Sequence, residues 1–447
     1  MAGIAGIASP GRTKDVIKML ERIRHRGIEL KTVEENDATL GVVLPQVQNG
    51  IETGLDHEGL ICDEASSGHF ACVKNQDEGM VLSRDTLGVV PLYYGRDPSG
   101  ALCFASEVKG LLAVTRDVHE LMPGTRLVDG QVETEAQIPI RPFTLAPAVI
   151  VAAELRHRLR NAVRNSITTA PGFGSLLSGG LDSSVIAAIA RPFTERLHTF
   201  ASGLEGAPDL IHARDVARHL KVDHHERIVR FEEMLSVLPD VIYHLESFDA
   251  LLVRSSIMHY LAAQAASGYV PAVFSGEGGD ELFAGYGYLK KFALKDLPGE
   301  LLDITHRLHN TALQRVDRCT MAHGVTAWVP FLDPAVVEYA ISIPPALKMN
   351  NGVEKWILRE AARGLLPVEV VDRPKAKFWE GSGVADRMAV HAGRQISDRD
   401  FERERILPNG WKLNTKEELF YYRIFRERFG LLNNLGWMGR TKGAPVQ

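Results

Sequence analysis

Two segments of this 447-residue chain carry residue types that could bind and activate a phosphorylated substrate. The first, residues 178–184, reads Ser-Gly-Gly-Leu-Asp-Ser-Ser. Its glycines and serines let the backbone approach a phosphate closely, and a helix beginning after it adds a favourable field for an anion. A carboxylate such as Asp182 beside a phosphate is unfavourable unless a cation lies between them. The segment therefore predicts a nucleotide site that also holds Mg²⁺.

The second segment, residues 275–286, reads Ser-Gly-Glu-Gly-Gly-Asp-Glu-Leu-Phe-Ala-Gly-Tyr and follows an apolar stretch at 270–274. Ligands of open α/β sheets bind at the carboxyl ends of the strands. Carboxylates gathered there repel one another unless they bind a metal or serve as acid and base. A solvated acidic turn is the alternative reading, and the presence of the first segment in the same chain argues against it.

In the second part of the chain, predicted helices alternate with short apolar strands, and these elements must position the two segments. Helical patterns from residue 148 onward are interrupted by short apolar stretches, which predicts a parallel sheet flanked by helices. These stretches are 173–177, 197–202, 225–229 and 272–275. Residues 1–140 are instead rich in short strands separated by Gly, Asp and Pro, with one early helix at 14–24. Three prolines within 138–147 indicate a linker. We predict domains at 1–140 and 148–435.

Composition excludes some classes of function. The net charge is −5 and no basic blocks occur, so nucleic-acid binding is not favoured. The apolar runs are too short for a transmembrane helix, and the N-terminus lacks the pattern of a signal peptide. The four cysteines are scattered without a Cys-x-x-Cys pair. We interpret them as reduced thiols of a cytoplasmic protein and expect no structural zinc.

The first segment lacks the lysine of a Walker loop and resembles the PP-loop of enzymes that cleave ATP between its α- and β-phosphates. Together with the second segment, the chain resembles the asparagine synthetase superfamily. Other matching segments begin at Leu197 (Leu-His-Thr-Phe-Ala), Val241 (Val-Ile-Tyr-His-Leu-Glu), Val329 (Val-Pro-Phe-Leu-Asp), Lys348 (Lys-Met), Glu354 (Glu-Lys-x-Ile-Leu-Arg-Glu) and Lys375 (Lys-x-x-Phe-x-x-Gly-x-Gly). The resemblance implies an N-terminal Ntn-type αββα glutaminase-like domain and a C-terminal α/β ATP-pyrophosphatase domain with a parallel sheet.

The resemblance also implies an activity. A substrate carboxylate attacks the α-phosphate of ATP, which gives an acyl-adenylate and pyrophosphate, and an amine then displaces AMP. Glu277 matches the base for amine attack, and Lys375 matches a lysine that neutralises the triphosphate. Arg318 stands where relatives carry lysine and keeps that charge; the alternative for Arg318 is an ion pair with Asp317 or another acid on a helix surface. Arg254 would bind a substrate carboxylate. ATP and pyrophosphate would contact Leu176, Ser178, Gly179, Gly180, Leu181, Asp182, Ser183, Ser184, Ser275 and Gly276, and Mg²⁺ would contact Asp182 and Asp280. A homodimer is also implied.

The N-terminal domain departs from this family. Glutamine-dependent relatives begin with a nucleophilic cysteine, and Ala2 stands at that position, either naturally or through an engineered replacement. Alanine offers no nucleophile for glutamine hydrolysis. The stretch between the Arg-His-Arg-Gly motif at 24–27 and the Arg-Asp-Thr-Leu-Gly motif at 84–88 is too short for the family's glutamine-pocket segments. We interpret the domain as degenerate and retained for folding, dimerisation or covering the synthetase site.

The acceptor segment departs as well. Leu251 and Leu252 replace two threonines that bind aspartate in asparagine synthetases, while Arg254 is kept. Thr326 and Trp328 replace a glutamate and an arginine. Lost hydroxyls weaken recognition of a polar substrate, so we predict a larger or less polar acid than aspartate.

The prediction is therefore an AMP-forming amide ligase that uses ATP, Mg²⁺ and ammonia or a small amine. One alternative is intramolecular ring closure as in β-lactam synthetases, which carry tyrosine at the position of Glu277 but have a similar loop at 374–383. A PP-loop sulfur-transfer enzyme and a non-catalytic ATP-binding paralogue are the others.

Overall fold

The computed structural model describes residues 1–35, 37–45, 60–65, 68–76, 79–167, 172–374 and 385–441. In this part of the chain the N-terminal region forms two antiparallel sheets, with strand orders β2-β3-β1-β8-β7-β9 and β11-β10-β6-β5-β4. The strands are β1 Gly3–Ile7, β2 Glu29–Glu34, β3 Thr39–Leu44, β4 Leu60–Ala65, β5 His69–Gln76, β6 Gly79–Arg84, β7 Tyr93–Arg96, β8 Leu102–Ala105, β9 His119–Glu120, β10 Thr125–Val128 and β11 Gln131–Thr134.

The two sheets pack face to face around an apolar core. Leu40 and Phe104 of the first sheet and Val73 and Leu82 of the second belong to one buried cluster. Helices α1 (Thr13–Arg22) and α2 (Val108–Leu111) lie on the first sheet. Strand β3 is buried along its whole length because it contacts α1 on one face and the second sheet on the other. The β-rich character and the early helix predicted from the sequence are confirmed.

Two of the four cysteines form a disulfide. Cys62 on β4 lies directly opposite Cys72 on β5, and their sulfur atoms are bonded. The prediction of four reduced thiols is wrong for this pair, because the hairpin brings together two residues that are ten positions apart. Glu64 lies near both sulfurs, but sulfurs bonded to each other do not bind a metal here. Cys103 and Cys319 are free and buried.

The second region is the predicted parallel sheet, with strand order β14-β13-β12-β15-β16. Its strands are β12 Gly174–Leu176, β13 His198–Leu204, β14 Asp223–Val229, β15 Ala272–Phe274 and β16 Thr326–Trp328. The helices are α3 Ala148–Ile167, α4 Leu181–Ala190, α5 Pro208–Leu220, α6 Phe231–Leu245, α7 Ala250–Ser267, α8 Gly279–Leu282, α9 Leu297–His306, α10 Ala312–Met321, α11 Pro334–Ser342, α12 Pro345–Lys348, α13 Trp356–Ala362, α14 Val368–Val371, α15 Ala385–Gln395, α16 Asp398–Glu404 and α17 Lys416–Phe429. Among the described residues, no helix has the length and apolar character needed to span a membrane.

The order of this sheet fixes where the two chemical segments lie. Strands β12 and β15 are hydrogen-bonded neighbours, with Ser175 opposite Phe274. Each strand is followed at its carboxyl end by one of the two segments. Parallel neighbours end at the same edge of the sheet, so the segments meet there, although about ninety residues of chain separate them.

Candidate active site

The loop at 178–184 runs from the end of β12 into the first turn of α4, and hydrogen bonds between two of its serines stabilise it. Ser183 Oγ accepts a hydrogen bond from Ser178 N at 3.2 Å and lies 3.1 Å from Ser178 Oγ. Gly179 has φ +71°, and a side chain there would run into the backbone of α5. Helix α4 begins at Leu181, earlier than the sequence suggested, so Asp182 lies in its first turn. The arrangement matches the predicted strand, loop and helix of an anion site.

The second loop packs directly on the first. A Cβ atom on Gly276 would lie 2.8 Å from Ser183 N, and one on Gly279 would lie 2.6 Å from Asp182 Cγ. Glycines are therefore required here by the close approach of the two backbones. Asp280 follows in the single turn of α8. The glycine-rich composition of residues 275–286 thus has a packing reason, which is to bring Asp182 beside Asp280.

Both carboxylates contact the ammonium group of Lys355. Lys355 Nζ lies 2.5 Å from Asp182 Oδ2 and 2.5 Å from Asp280 Oδ1. The Lys355 side chain is only 2% exposed, and its backbone is left-handed, with φ +56°, just before α13. The two predicted Mg²⁺ ligands therefore converge on one cation position, which a lysine ammonium shares in this structure. Paired hard oxygen ligands at the edge of the predicted phosphate-binding loop fit Mg²⁺, which takes one or two carboxylates plus substrate phosphates.

Glu277, in the loop before α8, contacts an arginine on α10. Arg315 Nη2 donates to Glu277 Oε1 at 2.6 Å, and Arg315 Nη1 donates to Ser255 Oγ at 3.0 Å. Glu277 keeps a side-chain exposure of 19%, so its carboxylate is accessible to a small ligand. Burial alone lowers the pKa of Arg315, but Glu277 outweighs it and raises the pKa. The contact holds one carboxylate oxygen of the predicted base, Glu277 Oε1.

Glu281, a second acidic residue of the same segment, is buried and hydrogen-bonded to a tyrosine. Tyr286 donates its hydroxyl hydrogen to Glu281 Oε1. Burial, followed by the neighbouring charge of Asp280, raises the pKa of Glu281 to about 7. The loop therefore separates its carboxyl groups by environment: Asp280 pairs with a lysine, Glu277 with an arginine, and Glu281 with a phenol.

Comparison with known proteins shows the family of this chain. The asparagine synthase family matches residues 154–303 and 295–434, and the glutamine amidotransferase domain family matches residues 54–136. The chain belongs to the asparagine synthase family. It is 36% identical to asparagine synthetase B [glutamine-hydrolyzing] of Escherichia coli (strain K12) over 81% of this chain and 70% of that protein. It is 34% identical to asparagine synthetase [glutamine-hydrolyzing] 2 of Lotus japonicus over 80% of this chain and 65% of that protein.

The chain therefore spans less than two thirds of the Lotus japonicus relative's length. Among solved structures, NMN synthetase from Francisella tularensis gives a TM-score of 0.30 at 13% identity, with 64% of this chain and 97% of that chain covered. This likeness is too low to support an argument. The predicted family and its two-part fold are confirmed, and the chain belongs to a family of ATP-dependent amide-forming ligases. The predicted homodimer stays a prediction.

Arg254 of this asparagine synthase family member is bonded to an internal carboxylate. Arg254 Nε lies 2.6 Å from Glu417 Oε1 on α17, and Arg254 Nη2 contacts Glu417 Oε2. Tyr421 donates to Glu417 Oε1 at 2.7 Å. The role predicted for Arg254, binding a substrate carboxylate, stays a prediction, and in this structure Glu417 takes the place of that carboxylate.

The four substitutions that suggested an apolar acceptor pocket are spread over different surroundings. Leu252 is buried in a helical core, while Leu251 is only partly buried. Trp328 packs against Phe274, with ring centroids 5.1 Å apart. Thr326 Oγ1 accepts a hydrogen bond from the α-amino group of Met1 at 3.0 Å. Of these residues, Trp328 and Thr326 are explained by core packing and by the contact between the two halves.

Arg318 is fully buried between the two halves of the molecule. Its guanidinium pairs with Asp317 at 2.5 Å and with Glu246 at 3.4 Å, and it contacts the hydroxyl group of Tyr93. A side chain with no exposed surface cannot contact ATP in the loop without a rearrangement, so this arrangement does not support the catalytic role predicted for Arg318. Its match to a family lysine could not reveal these partners. Lys375 lies outside the described residues.

Ala2, at the position where the family resemblance places a nucleophilic cysteine, is fully buried and lies directly before β1. Its backbone N–H donates to Asp63 Oδ1 at 2.7 Å, and Arg26 donates to its carbonyl oxygen at 3.2 Å. Burial raises the pKa of Asp63 to about 6.

The sequence missed two residues that complete the candidate site, Lys355 and Arg315. Lys355 belongs to the matching segment Glu-Lys-x-Ile-Leu-Arg-Glu, which was a usable signal. Arg315 lies three positions before Arg318 on α10 and therefore on the same side of that helix. Glu354, the residue before Lys355, pairs with Arg359 at 2.9 Å and Lys290 at 2.8 Å. These two ion pairs hold Glu354 near the start of α13.

Proposed function

We propose that this chain is an AMP-forming amide ligase that adenylates a carboxylic acid with ATP and transfers the acyl group to ammonia or a small amine. The observation that supports it most is the convergence of Asp182 and Asp280 on one cation position beside the loop at 178–184. A phosphate-binding loop with a cation site at its edge suits cleavage of ATP next to the α-phosphate. Membership of the asparagine synthase family supports the same class of reaction.

In the first half-reaction, the N–H groups of residues 178–184 and the start of α4 hold the pyrophosphate end of ATP. Asp182 and Asp280 carry two negative charges, and Lys355 offsets one of them. Asp182 and Asp280 would hold Mg²⁺, which would offset the negative charge that develops on the phosphate oxygens. Lys355 adds a positive group in contact with both carboxylates. The oxygen of the acid then bonds to the α-phosphorus, and pyrophosphate leaves.

In the second half-reaction, Glu277 accepts a proton from the attacking amine. A base must lie within hydrogen-bond reach of the proton that it takes, and Arg315 holds the Glu277 carboxylate in one orientation through a 2.6 Å bond. The amine nitrogen bonds to the acyl carbon, and AMP leaves with the bonding electrons. This external attack distinguishes the proposal from intramolecular ring closure.

The nitrogen source in this proposal is free ammonia or an amine, not glutamine hydrolysed by this chain. Ala2 offers no thiol at the position of the family's nucleophile. Cys103 and Cys319 do not replace it, because burial raises the pKa of each thiol to about 12. Thiols become nucleophilic only as thiolates. Cys62 and Cys72 are joined to each other.

The acceptor in this proposal is a carboxylic acid that is larger or less polar than aspartate. Leu251 and Leu252 at the start of α7 support this, since they offer no hydroxyl group to a polar substrate. The bond between Arg254 and Glu417 supports it too, because the guanidinium predicted to bind a substrate carboxylate is already paired with a carboxylate of the protein.

The test is release of AMP and pyrophosphate from Mg-ATP with a panel of acids and amines, including aspartate with ammonium and aspartate with glutamine. Asp182→Ala and Glu277→Gln variants serve as controls. Release of AMP with a non-aspartate acid and an amine, abolished in Asp182→Ala, is the expected result. Good activity with aspartate and ammonium would refute the proposed acceptor but keep the ligase. AMP formation driven by glutamine alone would refute the proposed nitrogen source.

A further inference from the structure

Six charged side chains are buried where the two halves of the molecule meet, and none is more than 4% exposed. We call them the interdomain ring. They are Arg26, Glu107 and Lys109 of the N-terminal region and Glu246, Asp317 and Arg318 of the synthetase region.

The ion pairs close into a ring of alternating charge. Arg26 pairs with Glu107, Glu107 with Lys109, and Lys109 with Glu246 at 3.2 Å. Glu246 pairs with Arg318 at 3.4 Å, Arg318 with Asp317 at 2.5 Å, and Asp317 with Arg26. Three cations therefore face three carboxylates, and each member has an opposite charge on both sides.

The two histidines nearest the ring add no charge to it. The histidines that approach the ring are His25 and His244, and burial lowers the pKa of both, that of His244 to about 2. They are therefore uncharged at neutral pH. Glu246 also accepts hydrogen bonds from the backbone N–H groups of Val108 and Lys109. Removing one charge from such a buried, balanced set leaves an uncompensated opposite charge, which is strongly unfavourable.

One short helix connects the ring to the candidate site. Asp317 and Arg318 lie on α10, and so does Arg315, which donates to Glu277 at 2.6 Å and to Ser255 at 3.0 Å. An α-helix of ten residues behaves as one rod of about 15 Å. The N-terminal region therefore holds α10 through Asp317, two residues from the arginine that orients the predicted base.

We propose that the degenerate N-terminal domain positions the amide-forming half of the site, and that Arg26 is the positioning residue that does this through Asp317, α10 and Arg315. The inference rests on the proposed function, since it assigns Glu277 to amine attack. The inference gives the N-terminal domain a role in the reaction that does not involve glutamine, because the domain holds α10 in place.

The proposal separates the two half-reactions. Of the adenylation residues, Asp182 and Asp280 follow β12 and β15, and Lys355 lies in the turn before α13. In the described part of the chain, Lys355 forms its ion pairs with Asp182 and Asp280 and not with a member of the ring. Disturbing Arg26 should therefore slow amide formation while leaving acid-dependent ATP–pyrophosphate exchange nearly unchanged. A general loss of stability would lower both rates together.

The experiment uses the full chain with four variants: Arg26→Gln, Asp317→Asn, the double variant, and Asp85→Ala as a matched control. Asp85 is a buried acid of the same N-terminal domain that accepts hydrogen bonds from the N–H groups of Leu87, Val89 and Val90 and is outside the ring. The double variant removes one cation and one anion, so two cations still face two carboxylates, and we expect the protein to fold. It still lacks the Arg26–Asp317 bond.

We expect Arg26→Gln and the double variant to lower kcat for amide formation at least tenfold, with exchange within about twofold of the wild type, and Asp85→Ala to change neither. If the double variant has the wild-type unfolding free energy and forms amide at the wild-type rate, the positioning role is overturned. Arg26 would then only compensate the charge of the buried carboxylates.

Hydrogen exchange of residues 312–321 on the same proteins needs no substrate. Faster exchange there in Arg26→Gln and in the double variant, but not in Asp85→Ala, is expected even if no acid supports adenylation. Unchanged exchange in both would overturn the inference. A wild-type protein that forms no AMP would refute the proposed function separately.

Discussion

Asp182 and Lys355 are separated by 173 positions in the chain, yet Asp182 Oδ2 lies 2.5 Å from Lys355 Nζ. The same ammonium group reaches Asp280 at 2.5 Å. Three segments, from the first loop, the second loop and the turn before α13, thus meet at one charge cluster. A cation beside Asp182 is thus present within the protein itself, because the Lys355 ammonium group contacts both carboxylates that are predicted to hold Mg²⁺.

Replacing Lys355 should destabilise the folded protein. In Lys355→Met, Asp182 and Asp280 lose the ammonium group that separates them, and breaking a buried ion pair costs about 3 kcal/mol of unfolding free energy. Urea unfolding monitored by circular dichroism measures this loss. Added Mg²⁺ should restore part of it, because the ion replaces the missing cation.

Lys290→Met is the control for the Lys355 variant. Lys290 also pairs with a carboxylate, that of Glu354, but its side chain is 45% exposed, and exposed pairs contribute little. Equal stability of the two variants would contradict the central role given to Lys355.

Replacing the predicted base should affect only the second half-reaction. Glu277→Gln keeps the shape of the side chain and a hydrogen bond to Arg315 but accepts no proton. General-base catalysis contributes about 10²–10⁴-fold, so amide formation should fall by that range while acid-dependent ATP–pyrophosphate exchange continues. Rapid-quench assays of both steps provide the measurement. Loss of exchange to the same degree as amide formation would assign Glu277 to adenylation instead.

Stability should fall in acid partly because of Glu120. Burial alone would raise the pKa of Glu120, but His309 and Arg84 outweigh it and lower the pKa to about 2. The unfolded carboxyl has a pKa of about 4.3. The folded state therefore binds the proton more weakly, so this contribution is complete above about pH 4.3 and is lost as the pH falls toward 2.

The comparison for Glu120 is Glu120→Gln. Unfolding free energy measured from pH 6 to pH 3 should fall more steeply for the wild type than for this variant. Parallel curves would show that Glu120 does not carry the expected linkage.

Arg254 and Glu417 should be energetically coupled. Their bidentate contact joins α7 to α17, and Glu417 is only 2% exposed. A double-mutant cycle with Arg254→Met and Glu417→Met should give a coupling energy of about 1–3 kcal/mol, read from urea unfolding. Tyr421→Phe, which removes the second donor to Glu417, should cost about 1 kcal/mol. Strict additivity of the two methionine substitutions would mean that Arg254 is not committed to Glu417 and is available to a substrate.

Much of the candidate site could be predicted from the sequence because its parts are local. The loops that carry Asp182 and Asp280 each follow an apolar strand, and parallel strands bring such loops to one edge. Partners that depend on packing could not be predicted. Lys355 reaches the site from a left-handed turn, and Arg315 on α10 contacts Glu277 in the loop after β15, a pairing that joins two distant parts of the chain.

The same limit explains the two predictions that the structure does not support. Matching Arg318 to a family lysine indicated a positive charge, and the alternative from the sequence named Asp317 as a partner, but neither revealed that Arg318 is buried against Glu246. The spacing of Cys62 and Cys72 suggested isolated thiols, whereas a hairpin places them opposite each other. In both cases the deciding contacts join separate strands or helices.

Acid-dependent exchange of labelled pyrophosphate into ATP tests the central claim most directly. The wild-type protein is incubated with Mg-ATP, labelled pyrophosphate and each of a panel of carboxylic acids, without glutamine or amine, and beside Asp182→Ala. We predict exchange that requires one class of acid and is lost in Asp182→Ala, because the acid is adenylated at the site formed by Asp182, Asp280 and Lys355. Nucleotide binding without exchange for any acid would contradict the account and identify a non-catalytic ATP-binding protein.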